Sequence, residues 1–174
     1  MNLTQLIKDS HKLAVEKGWW SLPEDTAESK LLMIHGKISE AAECYRNGEM
    51  ETHFKMPAPP LDEYEDTSGR KPLGFPIAVA DIAIGCADLL GDLGCSGLDS
   101  RGTSLLYDEA TPDEYTSVVQ LLLETHDGAN LYEDSIVETI EMCRRLALKV
   151  GFDLDEAIRI KLAYDRIQPG MHVR

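Results

Sequence analysis

The chain has 174 residues, of which 43% are hydrophobic and 28% charged, with a formal net charge of −14. That balance fits one soluble globular domain, or one domain with an insertion, rather than a disordered segment. The acidic total argues against a nucleic-acid polymer as partner, because a phosphate backbone is repelled. No run of about 18 apolar residues is present to span a membrane. The N-terminal MNLTQLIKDSHKL lacks the apolar core and small-residue cleavage site of a signal peptide, so a cytoplasmic location is expected. The cysteines are Cys44, Cys86, Cys95 and Cys143. None belongs to a CxxC pair, which predicts free thiols in a reducing compartment rather than a zinc site.

Residues 3–18 predict a first helix from the spacing of Leu3, Leu6, Ile7, Leu13, Ala14 and Val15. Gly18 ends it, and Trp19–Trp20 begin a turn. Residues 27–47 predict the second helix, with Leu31, Leu32, Ile34, Ile38, Ala41, Ala42 and Tyr45 on its apolar face and Asn47–Gly48 as its stop. Residues 48–75 read as a long irregular connection, a mobile surface loop or a lid. Five prolines between Pro57 and Pro76 exclude a regular helix there.

Residues 76–93 predict a third helix with Pro76 in its first turn. It is apolar nearly all round and is the expected central, buried helix. Residues 95–111 read as a Gly/Ser-rich connector. A fourth helix is expected from about residue 112 to Thr125, so that 95–128 together form an inserted connector and helix. A fifth helix is expected over 131–150, closed by Gly151. A short sixth covers 153–166, opening on the capping-box pattern Asp153-x-x-Glu156. No strand alternation and no internal repeat stands out. The fold class expected is all-α, a helical bundle around helices two, three and five.

Two segments carry a resemblance. Leu31–Glu43 (LLMIHGKISEAAE) and Gly74–Asp88 (GFPIAVADIAIGCAD) resemble the two metal-binding helices of the MazG-like, all-α nucleoside triphosphate pyrophosphohydrolases. Lys17-Gly-Trp-Trp20, Tyr45-Arg46, Gly151-Phe-Asp-Leu154 and Lys161-x-x-Tyr164-Asp165 continue the likeness. It covers most of the chain except the proline-rich loop and residues about 95–128, and it is nearest to phage-type members. In that family an ExxE and an ExxD on facing helices place four carboxylates around one point. Residues three apart share a helix face, and such a cluster holds Mg²⁺ against a triphosphate.

Here the four matching positions read Lys37, Glu40, Ala78 and Asp81. Gly85 stands where the family has an arginine, and Asp165 where it has an asparagine. The resemblance implies Glu40 and Asp81 as catalytic and metal-binding residues. Glu43 or Asp88 supply a shifted third ligand if metal binds at all. It implies His35, Lys37, Lys161, Tyr164 and Asp165 as the nucleotide-binding side.

Asp81 lies in an otherwise apolar helix, where an unpartnered carboxylate is costly. It is either a surviving metal ligand or the partner of Lys37. Replacing two glutamates by Lys37 and Ala78 shifts the formal charge of the site by about three, which favours phosphate without metal.

Three functions follow. The first is a nucleotide-binding protein with impaired catalysis, which sequesters a nucleotide or a nucleotide-derived signal. The second is an active Mg²⁺-dependent pyrophosphohydrolase that cleaves a nucleoside triphosphate to monophosphate and pyrophosphate. The third is a helical interaction module that does not use nucleotides. A homodimer or homotetramer is expected, with Trp19–Trp20 and the apolar third helix burying surface between copies.

Overall fold

The computed structural model describes residues 1–55, 70–95 and 117–170. The described residues form six helices and a two-stranded sheet, an all-α architecture apart from that hairpin. They are α1 (Leu3–Glu16), α2 (Ala27–Asn47), β1 (His53–Lys55), β2 (Lys71–Leu73), α3 (Phe75–Asp92), α4 (Val118–Gly128), α5 (Glu133–Val150) and α6 (Leu154–Ile167). No described helix is long and apolar enough to cross a membrane.

Helix α3 is the axis. Fourteen of its residues are buried, from Phe75 to Leu90, and it packs against α1, α2, α5 and α6. Its glycines and alanines permit close approach. A Cβ on Gly91 would lie 2.4 Å from His11 Cβ of α1. Helix α4 lies outside this set, against α5 and one side of α2.

Local chemistry sets the boundaries. The Thr26 hydroxyl accepts from Ser29 N–H at the start of α2, and Gly48 stops that helix in the left-handed region at φ 74°. Asp153 caps α6 by accepting from Glu156 N–H at 3.0 Å. The Glu156 side chain pairs onward with Arg159. Pro76 sits in the first turn of α3. Gly74, at φ 107°, has Glu51 O only 2.2 Å from where a Cβ would stand, so no side chain fits there.

The connection over 48–75 holds structure that the sequence did not announce. β1 and β2 pair antiparallel, with His53 opposite Leu73 and Lys55 opposite Lys71. Three-residue strands have too few alternations to show a period. The expected start of the fourth helix and most of the 95–128 connector fall on residues 96–116, outside the described residues. Pro57, Pro59 and Pro60 also lie outside the described residues.

All four cysteines are free thiols. Burial pushes the Cys86 thiol up to about 12. Trp20 is half-buried and has partners within the chain. It donates to Asp88 at 2.9 Å, and its ring lies 4.9 Å from Lys30 Nζ.

Candidate functional site

The C-terminal half of α2, strand β2, the start of α3 and the middle of α6 enclose a cleft of about 260 Å³. Four of its residues were expected at a site: Glu40, Glu43, Asp81 and Lys161. Ala78 lines it too, and its methyl leaves the space that a glutamate would fill.

The floor is an ion-pair cluster. Lys37 of α2 donates to Asp81 Oδ1 at 3.1 Å. Lys161 of α6 approaches the same oxygen at 3.0 Å and also holds Asp165 at 2.7 and 2.9 Å. The Lys161 side chain is only 13% exposed. Burial opposes its charge, but Asp81 and Asp165 outweigh burial and raise its pKa above the ordinary value.

An ammonium has three donors. Lys161, which lines the cleft, directs its donors at these carboxylates, whereas Lys37 spends one of its own on Asp81 from behind. Gly85 makes room for this arrangement. A Cβ there would lie 3.9 Å from Lys37 Cδ and 3.2 Å from Ile34 Cγ1. A side chain on α3 at this point would press first on Ile34 of α2.

The other expected residues are distributed differently. His35 lies away from the cleft, with its ring 4.7 Å from that of His126 on α4. Its pKa is lowered by burial and by His126, partly offset by the Ala129 carbonyl. Tyr164 stands beside Lys161, 5.9 Å from Nζ to ring centroid.

Asp88 faces α1. Its Oδ1 accepts from Trp20 Nε1 and contacts His11 Nδ1, each at 2.9 Å. Burial raises its pKa, opposed by those two partners. A carboxylate held this way is not turned toward Asp81, so a shifted metal site has Glu43 rather than Asp88 within the cleft.

Sequence reasoning missed Lys71, Asn47, Cys44 and Glu49, all of which line the cleft. Cys44 and Asn47 follow Glu40 at i+4 and i+7, so one helix face already pointed to them. Lys71 comes from the hairpin, which left no periodic signal. Burial, with Glu49, Glu40 and Glu43 behind it, holds the Cys44 thiol above its usual range.

Mg²⁺ fits this arrangement poorly. It needs close oxygen ligands in near-octahedral geometry, and two ammonium groups hold the inner oxygen of Asp81. No group of three or more metal-ligating side chains converges among the described residues. The charged groups lining the cleft are Lys71 and Lys161 among the carboxylates of Glu40, Glu43, Glu49 and Asp81.

In comparisons with known proteins, no family model, no curated protein and no solved structure matches the chain.

Proposed function

We propose that this chain is a cytoplasmic nucleotide-binding protein with a MazG-type bundle, which holds its ligand without a divalent metal and turns it over poorly. The single observation behind this reading is the convergence of Lys37 and Lys161 on Asp81 Oδ1 at 3.1 and 3.0 Å. The two cations take the electrostatic place that a metal has among four acids. Lys161 neutralises Asp81 and Asp165 internally. Lys71 at the rim meets the phosphate end of the ligand, and Lys37 beside Asp81 adds positive charge behind it.

The experiment is one incubation with a panel of nucleoside mono-, di- and triphosphates, with and without Mg²⁺. The filtrate and the denatured protein are each analysed by chromatography. Intact nucleotide recovered from the protein under both conditions is the expected result. Monophosphate and pyrophosphate in the filtrate with Mg²⁺ overturn it.

That outcome would favour the second reading, an active Mg²⁺-dependent pyrophosphohydrolase. Its support is that Glu40, Glu43 and Asp81 line one cleft. No nucleotide bound under either condition leaves the third reading, an interaction module on this scaffold.

A further inference from the structure

Away from the cleft, α2 and α4 meet at two histidines. His35 of α2 and His126 of α4 stand with ring centroids 4.7 Å apart and ring planes at 60°. His35 is half-buried. Its Nδ1 is enclosed and has no hydrogen-bond partner among the described residues. A polar nitrogen shut away from water without a partner is unfavourable and rare in folded proteins. The Ala129 carbonyl beside the ring favours a proton on it. With that proton on Nε2, Nδ1 is a lone pair that no described group uses.

The second ring is arranged to match. His126 Nδ1 lies 3.5 Å from the Asp127 carboxylate. The carboxylate favours the proton on that nitrogen and leaves Nε2 as the second lone pair. A histidine that ligates a metal has this environment: one ring nitrogen donates to a carboxylate or a carbonyl, and the other faces the ion. Burial and the nearness of His126 favour the neutral form of His35, which is the form that ligates.

We infer that His35 and His126 together bind one divalent transition-metal ion of the Zn²⁺ type between α2 and α4. Imidazole nitrogen suits Zn²⁺, Ni²⁺ and Cu²⁺, whereas Mg²⁺ takes oxygen. Two nitrogens on a tetrahedral Zn²⁺, each at roughly 2.0–2.1 Å, stand about 3.3 Å apart. Rings at 4.7 Å reach that spacing when His126, whose side chain is 52% exposed, turns its Nε2 toward His35 Nδ1. Water completes the coordination. The net charge of −14 draws cations to the chain. The ion acts as a clip, fastening α4 to α2 beyond what their packing gives. Neither ring lines the cleft, so this inference does not depend on the nucleotide reading.

The test is calorimetric titration of the full chain with Zn²⁺, without nucleotide, beside His35→Asn and His126→Asn. With two protein ligands, a Kd on the order of 10 µM is expected, far weaker than a closed four-ligand site. Each substitution is expected to weaken binding at least about tenfold. Bound Zn²⁺ is also expected to slow amide exchange of Val118–Gly128 in the native chain and in neither variant. His126→Asn alters a half-exposed side chain, so it reports on the site independently of any packing defect in His35→Asn. A native chain that takes up no Zn²⁺ overturns the inference. So does Zn²⁺ binding that survives His126→Asn, which would place the ion on thiols or carboxylates elsewhere.

Discussion

Lys161 of α6 and Asp81 of α3 meet at 3.0 Å inside the bundle, with side chains 13% and 16% exposed. Removing one partner from a pair this enclosed leaves a stranded charge. Lys161→Met is expected to lower stability by about 3 kcal/mol in urea unfolding. A loss under about 1 kcal/mol would mean that Lys37 alone satisfies Asp81.

The same lysine gives the alkaline limb of stability a direction. Its folded pKa lies above the ordinary 10.5, so the folded state holds the proton more tightly. Its contribution is complete below pH 10.5 and is lost as pH rises through the raised folded value. Thermal melts of native chain and Lys161→Met are expected to converge at high alkaline pH. Parallel curves there would refute the assignment.

Asp88 behaves in the opposite sense to most carboxylates. Burial raises its folded pKa above the ordinary 3.8. Stability linked to it is greatest below pH 3.8 and falls as pH climbs through the raised value. Relative to Asp88→Asn, the native chain is expected to gain melting temperature as the solution is acidified across that window. Asp88→Ala is expected to cost about 1–3 kcal/mol at neutral pH, since it strands the Trp20 N–H.

His35 titrates below the ordinary 6.5. Its contribution is therefore complete above pH 6.5 and is lost as pH falls through 6.5 toward the lowered folded value. The charge it gains faces His126 on α4. Amide exchange of Val118–Gly128 is expected to accelerate on acidification beyond the intrinsic pH effect, and His35→Asn to remove that excess. An excess that persists in the variant would place its origin elsewhere.

Introducing acids at the two positions where the resembled pattern has them tests the proposed loss of turnover. Lys37→Glu with Ala78→Glu puts acids at 37, 40, 78 and 81 and withdraws one cation from Asp81. Mg²⁺-dependent pyrophosphate release above the native level is expected. The same release from the native chain would show that the two substitutions never abolished catalysis.

The fold was legible where single residues punctuate it. Gly48 stops α2, Pro76 opens α3 and Asp153 caps α6, each by a local bond or dihedral that a sequence displays. The hairpin was not, because β1 and β2 depend on each other and on Gly74 rather than on any period of their own. The cleft was legible in part. Glu40 and Asp81 came from spacing and resemblance, and the Lys37–Asp81 pair from the cost of a lone carboxylate in an apolar helix. The second cation on Asp81 arrives from α6. Asp88 is diverted by Trp20 and His11. Neither choice of partner is written in the spacing of one helix.

Lys17, at the end of α1, donates to the carbonyl of Arg166 at 2.7 Å and to that of Gln168, and Gly170 runs close over its backbone. Helix α1 carries no cleft residue, yet it fastens the far end of the helix that bears Lys161. A change at Lys17 would release that fastening, so on the proposed function ligand affinity is expected to depend on a position outside the cleft, with no alteration in any group that lines it.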